Sequence, residues 1–161
     1  METTVVSDTS PLIALSRLGL IELPKQLWGR LYIPKAVFVE ATRKNPGRKE
    51  VKTAIQAGWI IVKEVQDNAT VQILEEMFGP GESECLLLAK ELKASLLLID
   101  EQKGRKMAKK LGLRITGTVG VLARAAEKKL LPEEKLAPSL RKLQKSGFRL
   151  SEDLIEQFLE R

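Results

Sequence analysis

Leu96-Leu97-Leu98-Ile99 is an apolar run without alternation, closed by Asp100. A strand with no polar side must be covered on both faces, as in a parallel sheet held between layers of helix. Residues 4–6, 31–33, 59–65 and 113–115 read as further short strands, the first from β-branched Thr4, Val5 and Val6. Helical patterns separate them. Ser10-Pro11 opens the first, with Ser10 as N-cap and Pro11 at the first helical position. Others are predicted from Pro34 to about 42, then over 48–57, 71–78 (capped by Asn68 and stopped by Gly79-Pro80-Gly81), 82–92, 101–111 and 119–129. The helix over 82–92 is apolar almost all round and is expected to be buried. Strands alternating with helices predict a parallel α/β sheet with right-handed crossovers.

After Leu131 no strand is legible. Residues 132–145, with Pro138 inside, read as one broken helix or two short ones, and Ser151 caps a last helix over 152–160. The expected organisation is an α/β domain over 1–131 with a helical C-terminal appendage of the same domain over 132–161. That appendage is amphipathic, and is either packed on the domain or used for self-association.

The chain has 161 residues, no histidine and a single cysteine, Cys85. Serine–histidine and cysteine–histidine catalysis, histidine or thiolate zinc sites and intrachain disulfides are thereby excluded. Neither glycine-rich phosphate-loop signature is present. Reactive groups must then be carboxylates, hydroxyls, lysines or arginines, and carboxylates holding a hard divalent cation are the most economical choice. No run is long enough to span a bilayer and Met1-Glu2-Thr3 lacks a basic region, so the expected location is cytoplasmic. The net charge of +6 suits a polyanionic partner without requiring one.

Four carboxylates fall at informative places. Asp8 follows the first strand and Asp100 the fourth, at the carboxyl ends where open α/β sheets bind ligands. With Ser10 capping the helix, Asp8 has no structural role to fill. Asp100 has a competing one, as cap of the following helix. Glu40 lies on the inward stripe of Ile33, Val37, Ala41 and Lys44, or else pairs with Lys44 on the surface for about 0.3–0.5 kcal/mol. Glu82 opens the buried helix, where a favourable interaction with the helix N-terminus is the plain alternative. Its neighbour Glu84 competes for the same role.

These pieces, taken in order, resemble the PIN-domain superfamily of metal-dependent ribonucleases, in a branch related to toxins of toxin–antitoxin modules. The matching segments are Ser7-Asp8-Thr9-Ser10-Pro11-Leu12-Ile13-Ala14-Leu15, Ile33-Pro34 with Val39-Glu40-Ala41, Gly81-Glu82-Ser83-Glu84-Cys85, Leu98-Ile99-Asp100-Glu101 with Gly104-Arg105, and Thr116-Gly117-Thr118-Val119-Gly120-Val121-Leu122. The resemblance implies a three-layer α/β/α fold with a five-stranded parallel sheet of order 3-2-1-4-5. It implies Asp8, Glu40, Glu82 and Asp100 as catalytic and metal-binding acids, with Ser10, Glu84, Glu101, Arg105 and Thr118 as accessory groups. It implies Mg²⁺ or Mn²⁺ as cofactor. Implied partners are RNA, a small antitoxin protein and further copies of the chain in a homodimer or higher homo-oligomer, but no membrane. Two departures stand out: the third acid is a glutamate where aspartate is usual, and Leu98 replaces a frequent threonine.

Arg43, Lys44, Arg48 and Lys49 flank a loop, and Lys103, Arg105, Lys106, Lys109 and Lys110 lie on the helix after Asp100. Either group suits a phosphate backbone; a solvated helix face is the alternative, preferred for Lys109 and Lys110. Arg105, one turn beyond Asp100, either orients the acids or contacts the scissile phosphate. With Trp28, Trp59, Tyr32 and four phenylalanines, stacking on bases is poorly supported. The expectation is a Mg²⁺/Mn²⁺-dependent endoribonuclease acting on single-stranded RNA, as the toxin of a toxin–antitoxin module. The alternative is a catalytically weak or inactive PIN-fold protein that binds nucleic acid or a partner. A phosphotransfer receiver is disfavoured, since Asp8 has no acidic neighbour in sequence.

Overall fold

The computed structural model describes residues 3–149. Its order is β1 (Val5–Ser7), α1 (Thr9–Arg17), α2 (Leu23–Trp28), β2 (Leu31–Ile33), α3 (Lys35–Ala41), α4 (Arg48–Gln56), β3 (Ile60–Val62), α5 (Asn68–Leu74), α6 (Pro80–Glu91), β4 (Leu96–Leu98), α7 (Gln102–Lys110), β5 (Ile115–Thr116), α8 (Thr118–Glu127) and α9 (Glu133–Lys145). The five strands form one sheet in the order β3-β2-β1-β4-β5, every pairing parallel. Val5, Val6, Leu97, Leu98 and Ile99 are each fully buried. Successive strand side chains point to opposite faces, so helices cover both sides of β1 and β4, as the unbroken run at Leu96 requires.

The order reverses between β1 and β4, and that reversal positions the site. Ser7 is level with Leu98, and the Asp8 amide continues the ladder onto the Leu98 carbonyl at 2.9 Å. Asp8 and Asp100 therefore leave adjacent strands at the same edge, within one residue of being level.

Several local boundaries differ from the sequence reading, for physical reasons. Ser10 is not the N-cap: Asp8 occupies that position in extended conformation, and α1 begins at Thr9. Proline is tolerated throughout the first turn, whose amides lack partners in any case, so Pro11 does not single out one start. Pro34 likewise sits at the N-cap of α3 rather than inside it. Asp67, not Asn68, caps α5 by accepting the Thr70 amide at 3.1 Å, and that helix ends at Leu74. Gly79-Pro80-Gly81 does not merely stop a helix: Gly79 is the N-cap of α6 and Pro80 its first residue. The short α2, which the sequence reading passed over, has Pro24 near its start and ends at Gly29 with φ of 87°.

Pro138 breaks nothing. α9 is one continuous helix, with Leu136, Leu140 and Leu143 buried along one stripe and packed in part on α8. That burial offsets the ~3 kcal/mol an internal proline costs. Of the two expected fates of this segment, packing on the domain holds for 133–145. The helix predicted over 152–160 lies outside the described residues.

Candidate metal centre

Asp8 is only 5% exposed and its side chain makes no capping bond to the helix it precedes. Burial pushes its carboxyl up to about 7, opposed by the Thr9 amide and reinforced by the charges of Glu40, Asp100 and Glu101. A cap would accept amide hydrogens and be held ionised. Asp8 instead has its ionised form disfavoured by burial and by three neighbouring acids, a balance that a bound cation would reverse.

Glu82 lies in the first turn of α6. Its carboxyl is pushed up to about 8, first by burial, then by a hydrogen bond shared with Glu101, then by the charges of Asp8, Glu101 and Glu40. Its Oε2 is buried with no hydrogen-bond partner. The helix N-terminus, which favours carboxylates, does not prevail over that crowding. No lysine or arginine is among the groups acting on Asp8 or Glu82.

Glu40 and Asp100 are held differently, by donors. Thr9 Oγ1 donates to Glu40 Oε2 at 2.8 Å and the Gly81 amide to Oε1 at 3.1 Å. The pairing of Glu40 with Lys44 is not formed; α3 turns its acid toward α1 and α6. Asp100 Oδ2 accepts from Ser10 Oγ at 3.0 Å and Thr118 Oγ1 at 2.7 Å, and Oδ1 from the Thr118 amide at 2.7 Å. Asp100 is thus not the cap of α7. Glu101 is, through the Gly104 amide at 3.1 Å. A carboxylate oxygen has two lone pairs, so both oxygens of Glu40 and Oδ1 of Asp100 each retain one.

Three glycines make this packing possible, a role the sequence reading did not assign. A Cβ on Gly81 would stand 2.5 Å from Glu40 Oε2; one on Gly104, 2.8 Å from Glu82 Oε2; one on Gly117, 2.7 Å from Asp100 Oδ1. Each acid is seated against bare backbone. Thr9 was also overlooked, although it directly follows Asp8.

The remaining candidates divide. Ser10, Glu40, Glu82 and Glu101 line, with Asp8, a cavity of about 520 Å³. Asp100 and Thr118 are not in that lining; Asp100 is joined to it through the Ser10 hydroxyl. Glu84 faces elsewhere: its Oε1 accepts the Ala36 amide at 3.2 Å, at the start of α3. Arg105 donates from its guanidinium to the Ile99 carbonyl at 3.0 Å, and lies against Gly117 on the side of Asp100. Lys103 bonds the Met77 carbonyl and covers the Phe78 ring, tying α7 to the turn before α6. Lys109 and Lys110 are exposed on the last turn of α7.

Hard divalent cations fit this donor set. It is all oxygen, no lysine or arginine is among the groups acting on Asp8 or Glu82, and both of those carboxyls are raised toward neutrality by burial and by neighbouring acids. Among the described residues, no three acids already stand in ligating geometry around one point. Mg²⁺ and Mn²⁺ keep several waters and need few direct carboxylates, so acids spread around a solvent-filled cavity suit them better than a closed cage. Asp8, Glu82 and Glu40 would hold such an ion, with Asp100 through its Oδ1.

The model of a PIN-domain family matches residues 4–161. Among solved structures, the chain is similar to a PilT N-terminus domain protein from the hyperthermophilic archaeon Sulfolobus solfataricus P2, at 20% identity and a TM-score of 0.47, covering 78% of this chain and 95% of that one. No curated protein matches.

Proposed function

The chain belongs to the PIN-domain family, in general a family of nucleases, and from that premise we propose that it is a Mg²⁺- or Mn²⁺-dependent endoribonuclease cleaving single-stranded RNA, as the toxin half of a toxin–antitoxin pair. The observation that carries the reading is the unneutralised pair Asp8 and Glu82, both raised toward neutrality and facing one open cavity. Structural acids are normally stabilised in their charged form; these two are kept in a state that a divalent cation would relieve.

When bound, the cation supplies Lewis-acid polarisation of the phosphate and an acidified water as nucleophile. The chain's own groups do the rest. Thr9 and the Gly81 amide hold Glu40 in one orientation, and Ser10 and Thr118 do the same for Asp100. Glu101 raises the Glu82 carboxyl through a hydrogen bond and through its charge, and Glu82 would give up its proton when the site is loaded. Glu82 is thereby a candidate to carry a proton away from the attacking water.

A second reading, a PIN-fold binding protein of little catalytic power, is favoured by the absence among the described residues of three acids gathered around one point. The two separate on one experiment. Purified protein is expected to cleave single-stranded RNA with Mn²⁺ or Mg²⁺, to stop with EDTA, and to lose cleavage as Asp8→Asn. RNA binding without metal-dependent cleavage would establish the second. Co-purification with a small protein encoded next to it, releasing cleavage when removed, tests the toxin assignment.

A further inference from the structure

The acids occupy only part of their cavity. Ser10, Ile13, Ala14 and Arg17 all line it, and they share one face of α1 at helical spacing. From Thr9 to Arg17 a helix rises ~12 Å, so the wall extends from the acids to a cation at the far end of α1. Opposite that wall the lining comes from the end of α9: Leu143, Ser146, Gly147 and Phe148. Among the described residues, no carboxylate lines this part. Arg17 is exposed and makes no ion pair with a described residue.

Phe148 is held in place. Its amide donates to the Leu143 carbonyl at 3.0 Å, Gly147 takes φ of 97° to allow the turn, and the ring packs partly against the core. This is the closure by which helices commonly end. In a chain with 4% aromatic residues, a fixed, half-exposed phenylalanine beside an acidic centre is specific. A flat apolar wall and an exposed guanidinium beside the acidic centre match one ligand chemistry, a nucleotide: base on the ring, phosphate on the cation.

We propose that the outer part of this cavity is a nucleobase subsite, in which Phe148 stacks on the base flanking the scissile phosphate and Arg17 binds the next phosphate along the strand. The inference rests on the ribonuclease reading for its substrate, and it gives α9 a role in substrate selection.

The test reads binding apart from cleavage. Full-length protein is titrated with a fluorescent single-stranded RNA oligomer, Ca²⁺ replacing Mg²⁺ or Mn²⁺, and with the same oligomer made of abasic ribose phosphates. Base stacking on an aromatic ring is worth about 5- to 150-fold in affinity. Phe148→Leu, which keeps an apolar packing partner, is expected to lose that factor on RNA and nothing on the abasic strand. Phe148→Trp is expected to retain it. Arg17→Gln is expected to weaken both strands and to reduce the slope of log affinity against log salt by about 0.7. Equal affinity of the wild type for the two strands, or equal losses on both in Phe148→Leu, would overturn the subsite. A subsite that behaves as expected in a protein that never cleaves would sink only the nuclease reading. Cleavage lost in Asp8→Asn with Phe148→Leu indistinguishable from wild type would sink only the subsite.

Discussion

Gly81 and Glu40 are in such close contact that a single methyl group would separate them: a Cβ on the glycine would stand 2.5 Å from one carboxylate oxygen and 2.8 Å from the other. Gly81 lies in the first turn of α6 and its amide is one of the two donors that hold Glu40. The position therefore links the helix that carries Glu82 to the acid on α3.

Gly81→Ala is accordingly expected to damage the site more than the fold. Alanine is favoured over glycine in a helix by about 1 kcal/mol, which offsets part of the clash, and Glu40 is half-buried and able to swing outward. The apo melting temperature is expected to move by no more than a few degrees, while Mn²⁺ stabilisation and RNA cleavage fall together by about tenfold or more. Unchanged cleavage in Gly81→Ala would remove Glu40 from the site.

Asp8→Asn is expected to act oppositely on apo and metal-loaded protein. Asp8→Asn removes the cost of ionising a buried carboxyl beside Glu40, Asp100 and Glu101, so the apo melting temperature is expected to hold or rise. At a hundredfold excess over its dissociation constant a cation stabilises the wild type by about 2.7 kcal/mol, roughly 5–11 °C for a domain of this size. The variant is expected to lose most of that shift. Melts of both proteins with and without Mn²⁺ decide it: a lower apo melt with an undiminished metal shift would make Asp8 scaffold.

The acids also set a pH dependence. Asp8 and Glu82 are raised to about 7 and about 8 from ordinary values of 3.8 and 4.5. Between those limits the folded chain binds more protons than the unfolded one, so stability falls as pH rises, by up to about 1.4 kcal/mol per pH unit for the buried Asp8 and by less for the half-buried Glu82, which solvent screens. The contribution is fully present below about pH 4 and lost as pH rises through the folded values of about 7 and 8. In EDTA the melting temperature is expected to decline from pH 5 to pH 8, more gently in Asp8→Asn, and saturating Mn²⁺ is expected to flatten or invert the trend. An apo protein equally stable across that range would mean the acids are already neutralised.

The sheet was legible because Leu96–Ile99 is apolar on both faces, a pattern that depends on the strand alone. Helix starts were less so. Asp8, Thr9 and Ser10 can each cap a helix in sequence, and Asp8 yields the capping bond while Ser10 yields its hydroxyl to Asp100. The choice is made by a strand 90 residues away, which no local window contains. For the same reason the capping role expected of Asp100 passes to Glu101, because Thr118, beyond β5, claims Asp100. The glycines were visible as residues but not as seats, because each faces an acid on another element.

Glu84 and Glu82 sit two residues apart on α6, and the sequence alone left open which serves the site. The structure separates them by direction: Glu84 accepts the Ala36 amide at the start of α3, whereas Glu82 lines the acid cavity with a buried oxygen that has no partner. Their substitutions are expected to produce opposite signatures. Glu84→Ala removes an acceptor from an otherwise unsatisfied helix N-terminus, a loss of about 0.5–2 kcal/mol, or roughly 1–8 °C in melting temperature, with cleavage by the folded enzyme within a few-fold of wild type. Glu82→Gln keeps the shape, removes the charge that burial and Glu101 oppose, and is expected to leave the apo melt unchanged or higher. Its cleavage is expected to fall by two orders of magnitude or more, the scale on which a group that moves a proton at the reacting centre contributes. Melting temperature and cleavage rate measured on both variants decide the assignment. Loss of cleavage in Glu84→Ala, with Glu82→Gln active and destabilised, would exchange their roles.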